Sequence, residues 1–248
     1  MEVKRRCYEC YKKSLNVTAV AEVTSEPYLE FRCPNGHTYK SIPVNPVYEL
    51  LYDHALAALI QNNYYESYLS AQACLEQFRQ EFVLTYAWVI NKHQDMFSLF
   101  KNAKAIRYAE RSTGAFISIC LILFGNDCSQ VLKELSKVTE KRNLVVHGSL
   151  IPSKKECEQL LVAIYHSVFY CTIKYHNSDG YPYTRLRQDE RASNYVESKI
   201  IKGHWVITDK TYTLTPYQVV NEGQELNAYQ RSGMSTILQR YVHFSHIN

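Results

Sequence analysis

The 248-residue chain contains no run of about 18 uncharged apolar residues, the length that a membrane-spanning helix requires. Its nearest approach, residues 114–125, is only as long as one core helix, so no membrane span is expected. The opening Met-Glu-Val-Lys-Arg-Arg-Cys lacks the apolar stretch of a secretory signal, which points to a cytoplasmic protein. No internal repeat or low-complexity tract is visible, which excludes solenoids and disordered arrays. Tryptophan is scarce at 2 residues beside 9 Phe and 21 Tyr. Tyrosine can stack on nucleobases, but abundance without pattern reads as half-buried packing.

A disulfide framework is also missing. Of 8 cysteines, Cys7, Cys10 and Cys33 cluster with His37, which leaves an odd five (Cys74, Cys120, Cys128, Cys157, Cys171) at no motif spacing. Those five read as reduced core residues. What is present is an ordinary globular balance, 46% hydrophobic and 21% charged, enough to bury at least one full core. The formal net charge of +4 is compatible with a polyanionic partner without identifying one.

The chain divides into three parts: 1–45, 46–177 and 178–248. In the first, alternation from Val17 to Val23 and frequent turn residues predict short strands, and Pro43 and Pro46 mark the exit. The second is helical by its three- and four-residue apolar spacing. One helix carries Leu50, Leu51, Ala55, Ala58 and Leu59, and a second follows the Asn62-Asn63 break. A third, from about 103 to 124, is so apolar in its second half that a central place in the bundle is expected. A fourth starts near Ser129 and runs on to Gly148, and a fifth begins at the N-cap Ser153 and reaches about Tyr175. Short links predict an antiparallel bundle. In the third part, residues 204–208 and 211–215 look like a hairpin about Asp209-Lys210, and 226–245 is ambiguous, with room for one more helix.

Two knuckles, Cys7-x2-Cys10 and Cys33-Pro-Asn-Gly-His37, supply four ligands for a tetrahedral ion and leave no position open. A segment of about 45 residues cannot bury much core, so a metal would supply folding energy. A structural zinc on Cys7, Cys10, Cys33 and His37 is therefore expected, and no catalytic one. Lys4, Arg5, Arg6, Lys12, Lys13 and Arg32 suit phosphate contact and equally suit a solvated surface.

The stretch Lys141-Arg142-Asn143-Leu144-Val145-Val146-His147-Gly148 places Arg and His five apart, about 140° around an ideal helix. The pair can converge if the helix ends here, with Gly148 turning the chain and Leu144 and Val145 buried against the bundle. Residues 47–176 resemble a HEPN domain, a family of four- to five-helix bundles whose catalytic members carry Arg, a polar residue and His in an Arg-x4–6-His motif. Arg142, Asn143 and His147 match that motif. Glu66 and Glu76 lie on what resembles the early helix whose acidic residues often face the site, and Glu66 is taken as a supporting group.

The resemblance implies metal-independent RNA cleavage by a homodimer with a composite site and no catalytic cofactor. His147 would exchange protons with the ribose 2′-hydroxyl or the departing 5′-oxygen, and Arg142 would hold the phosphate. Asn143 would orient either one. The expected products are 2′,3′-cyclic phosphate (or 3′-phosphate) and 5′-hydroxyl ends, and DNA would resist. The expected role is a toxin or anti-phage defence effector, checked by an inhibitor or sensor protein. Two other readings stay open: an inactive HEPN adaptor binding nucleotide, RNA or protein, and a zinc-dependent DNA-binding regulator, for which no recognition helix is identifiable. Arg142 near a helix end and His147 at its C-terminus also suit simple dipole interactions. Arg185, Arg187, Arg191, Lys199 and Lys202 with Trp205 read as a solvated surface before an RNA-contacting face. His54, His93, His166, His176 and His204 have no partner pattern.

Overall fold

A computed structural model describes residues 2–24, 28–93, 109–198, 205–208, 212–215 and 222–247. Strands β1 (Glu2–Arg6), β2 (Thr18–Glu22), β3 (Leu29–Arg32) and β4 (Thr38–Pro43) form an antiparallel meander, with a four-residue helix α1 (Tyr8–Tyr11) after β1. In β1, Val3 is buried while Glu2, Lys4 and Arg6 point outward, the period-2 pattern of a half-buried strand. The small core beneath holds Val3, Ala19, Ala21, Phe31 and Tyr39 together with the three knuckle cysteines.

The rest is mainly helical. Helix α2 (Val47–Ile60) packs on α3 (Tyr64–Ile90), the longest of the described helices, and α4 (Ala109–Phe124) packs on α3 as well, so that Phe78 of α3 meets both Tyr48 and Phe116. A 3-10 turn (Gly125–Cys128) leads into α5 (Ser129–Thr139) and the short α6 (Arg142–Val146). Helix α7 (Lys154–Lys174) closes the bundle against α3 and α5. Two starts obey local chemistry. Asn63 accepts from the Glu66 amide at the head of α3, and Ser153 with Glu156 forms a reciprocal capping box at the head of α7. The core is strongly aromatic: Phe78, Phe82 and Phe116 meet with centroids 5.6–5.9 Å apart, and the buried Tyr52 hydroxyl donates to the Leu161 carbonyl at 2.8 Å.

Several expectations are corrected. The fourth helix is not continuous, because α5 ends at Thr139 and α6 starts afresh at Arg142. Helix α4 is not central: Phe116, Ile119 and Cys120 are buried, but Gly114, Ile117, Leu121 and Ile122 stay exposed along the opposite stripe. The first part of that expected helix, residues 103–108, lies outside the described residues. By length and composition, one apolar stretch within Glu110–Val146 is long enough to cross a membrane, with 28% of it buried. The continuous helix α4 measures only about 24 Å, short of a hydrocarbon core of about 30 Å.

The hairpin expected at 204–215 does not form. Strand β5 (Trp205–Thr208) instead joins the N-terminal sheet, parallel to β4, with Lys40 opposite Trp205 and Pro43 opposite Thr208. Residues 212–215 form a turn held on the bundle: Thr213 N donates to Asp53 Oδ1 at 3.1 Å and Thr215 Oγ1 to Glu49 Oε2 at 2.7 Å. Helix α8 (Tyr183–Ser198) was not anticipated. Far from lining a solvated surface, Arg187 on α8 is fully buried and ion-paired with Glu81 of α3. Lys199, Lys202 and His204 fall outside the described residues. The ambiguous stretch becomes two helices, α9 (Glu222–Gln230) and α10 (Met234–Ile247). Tyr229 stacks on Phe169 at 3.8 Å, and Arg240 donates to the Thr213 and Thr215 carbonyls at 2.9 Å.

Candidate functional site

Two sites emerge. At the first, the ligand atoms of Cys7, Cys10, Cys33 and His37 all lie within 4.8 Å of one another. Cys10 and Cys33 sulfurs are 3.6 Å apart, and His37 Nδ1 stands 3.3 Å from Cys10 Sγ and 3.6 Å from Cys7 Sγ. Metal–sulfur bonds of about 2.3 Å at tetrahedral angles require sulfur–sulfur edges of about 3.8 Å. The arrangement fits a metal such as zinc with little adjustment. Backbone turns pre-set it: Cys7 N donates to Val17 O at 2.7 Å, and Cys33 N to His37 O at 2.9 Å. Asn35 adds donors to sulfur at 3.4 Å, its amide to Cys33 and its side chain to Cys10. Gly36 follows at φ +80°, which an L side chain rarely adopts. The three cysteines are buried and His37 half-buried, so an ion here would be shielded by its own ligands.

The second site is α6 with the turn after it. Val145 is fully buried and anchors the helix on α3. Leu144, expected inside, is 52% exposed. The helix ends in a Schellman turn: Gly148 N donates to Val145 O at 2.9 Å and Ser149 N to Leu144 O at 2.8 Å, with Gly148 at φ +71°. His147 is therefore the C-cap residue, exposed to solvent.

Arg142 is held from below. Its Nε donates to Glu76 Oε1 at 2.7 Å, a second guanidinium nitrogen pairs with the same oxygen, and a third donates to Asn143 Oδ1 at 3.0 Å. The carboxylate that reaches the motif is thus Glu76. Glu66 lies ten residues earlier on α3, about 15 Å along its axis, and binds His54 at 3.1 Å and Ser70 at 3.0 Å. Both glutamates sit on one helix, and spacing alone does not say which faces Arg142. One turn beyond Glu76, Arg79 donates to Thr113 of α4 at 2.8 Å. Burial pulls the Arg79 guanidinium down to about 10, Glu76 opposes this and Arg142 adds to it. Before the motif, Lys141 pairs with Glu156 at 2.5 Å. That pair and the Ser153 donors pull the Glu156 carboxyl down to about 2 and tie α6 to the head of α7.

The structure therefore brings Arg142, Asn143 and Glu76 into one hydrogen-bonded group, with His147 five residues further at the helix end. Compared with protein-family models, with curated proteins and with solved structures, the chain finds no match in any of the three.

Proposed function

We propose that this chain is a metal-independent endoribonuclease of HEPN type, with a structural zinc in its N-terminal ribbon. The observation that carries this reading is the tethered Arg142–Asn143 pair on a short exposed helix that ends at His147. His147 takes the 2′-hydroxyl proton as that oxygen bonds to phosphorus, the phosphorus–5′-oxygen bond breaks, and a protonated His147, its own or the second copy's, gives a proton to the departing 5′-oxygen. Arg142 binds the phosphate and stabilises the charge that builds on it, and Asn143 orients the group beside it. The products are a 2′,3′-cyclic phosphate and a 5′-hydroxyl end.

A homodimer is part of the proposal. Helix α4 presents Ile117, Leu121 and Ile122 to solvent, and Leu144, Val146 and Ile151 are exposed around the motif. Both α4 and α6 pack on α3, where Arg79 meets Thr113 and Glu76 meets Arg142 one turn apart. An apolar stripe beside the motif suits a second copy that would bring its own Arg142 and His147 close. The biological role proposed is a cytoplasmic toxin or defence effector, restrained by an inhibitor or sensor protein.

One observation favours the adaptor reading: Glu76 occupies two of the nitrogens with which Arg142 would grip a phosphate. The test is RNA cleavage by the full chain after brief chelation, beside Arg142→Ala, His147→Ala and Glu76→Gln, with product ends mapped. Cyclic-phosphate ends lost in the first two variants support the nuclease. RNA binding without cleavage, in the wild type and in Glu76→Gln alike, supports the adaptor and rejects the nuclease.

A further inference from the structure

Away from both sites, a cavity of about 700 Å³ opens where the N-terminal sheet, α2, α3 and α8 meet. Its volume falls within the roughly 300–1,000 Å³ of small-molecule sites, which favour such junctions. Its walls are unlike those of a gap between packed elements. Tyr28 comes from the sheet side, Trp88 from α3 and Tyr195 from α8, so aromatic rings line it from three directions. Between them stand the side-chain amides of Gln77, Gln80 and Asn194. Gln77 and Asn194 are exposed and Gln80 half-buried, so all three are within reach of an occupant.

The charges are mostly committed within the wall. Glu81 is held by Arg187 and Gln188, with Arg191 at 3.9 Å, and Glu190 accepts from the Trp88 indole at 3.4 Å. Among the described residues, the lining carboxylates Glu81 and Glu190 face one lining guanidinium, Arg191, while Arg187 pairs Glu81 and Lys40 stands over the Tyr28 ring at 4.6 Å, so the wall carries little net charge and builds no anion-binding cluster. A wall of aromatic rings and amides with little net charge, where Trp88 is backed by a stacked His93 and Lys40 caps Tyr28, recognises a flat, uncharged ring system with donors and acceptors on its edge. Amides pair bidentately with such edges, and rings stack on them.

We propose that this cavity binds an uncharged heterocycle of nucleoside size. Because its walls come from both the sheet and the bundle, the occupant would bridge the two. The reading does not depend on any chemistry at Arg142.

Calorimetry on the zinc-loaded full chain tests it, with adenosine, guanosine, cytidine, uridine and their triphosphates as probes. At least one nucleoside should bind one to one, and its triphosphate about tenfold more weakly. Asn194→Ala and Tyr195→Ala should each weaken that nucleoside about tenfold, while Tyr195→Phe, which keeps the ring, should hold most of the affinity. Circular dichroism on each variant separates lost binding from lost fold. The proposal is overturned if no nucleoside binds, if the triphosphate binds more tightly, or if folded Asn194→Ala and Tyr195→Ala bind as the wild type does.

Discussion

The metal knuckles and the motif helix are both short, and in both a few polar side chains carry the chemistry. They are held in place by opposite means. The knuckles close on themselves through local turns, sulfur-directed donors and four ligand atoms within 4.8 Å, over a core of only a few side chains. Helix α6 has five residues and one buried side chain, and takes its position from Glu76 below and from the Lys141–Glu156 pair at its flank. A site built by ligands can be read from spacing. One built by neighbours has to wait for the fold.

The sharpest way to break this contrast is to deny the Cys/His cluster any metal. Chelation, or Cys10→Ser, should unfold residues 2–43 while the bundle keeps its helices, since binding of structural zinc is worth about 10–16 kcal/mol to such a module. Limited proteolysis before and after chelation would locate the change. If the N-terminal sheet stays protected without metal, its order comes from packing, and the contrast fails.

A second, intermediate effect concerns how the tail is secured. Burial raises the Glu49 carboxyl from 4.5 to about 7, although Thr215 and Asn45 both donate to it. A raised folded-state value means that the folded chain holds a proton which the unfolded chain has released. Stability should therefore fall as pH rises from about 4.5 through about 7, by about 3 kcal/mol in total. Denaturant melts across that window should show the slope in the wild type and a flatter profile in Glu49→Gln. Equal slopes in both would remove Glu49 as the source.

The smallest effect lies within the motif helix itself. Val145→Ala should cost about 1–2 kcal/mol, because the side chain is fully buried, whereas Leu144→Ala, at 52% exposure, should stay within about 0.5 kcal/mol. A large loss from Leu144→Ala in dilute protein would mean that Leu144 packs against the bundle in solution. A loss only at concentrations where copies associate would instead point to the dimer.

What the sequence revealed follows the same division. The Cys/His spacing, the Asn62-Asn63 break and the Ser153 cap are local signals, and each is found where its chemistry predicts, whereas the fourth of the five expected helices is split at residues 140–141. Helix α8 has no continuous apolar stripe to announce it. Among its described side chains the most deeply buried is Arg187, which stays inside because Glu81, 106 positions earlier, pairs with it. Charge in that stretch reads as surface until its partner is known. For the same reason the sequence points to Glu66 as readily as to Glu76: both lie on α3, and only the placement of α6 distinguishes them. The strand at 205–208 was legible as a strand, but its partner was not, since a parallel neighbour leaves no turn between them to read.

That parallel pairing bears on how the molecule is made. Strand β4 ends at Pro43 and β5 begins at Trp205, so roughly 160 residues must leave the ribosome between them. At about 5–20 residues per second this takes on the order of ten to thirty seconds. During that interval the backbone groups of β4 that β5 will cover stand bare, a template on which a neighbouring nascent chain can pair. The lysine at Lys40, on the strand that waits, is the kind of residue that discourages such pairing until the rightful strand arrives.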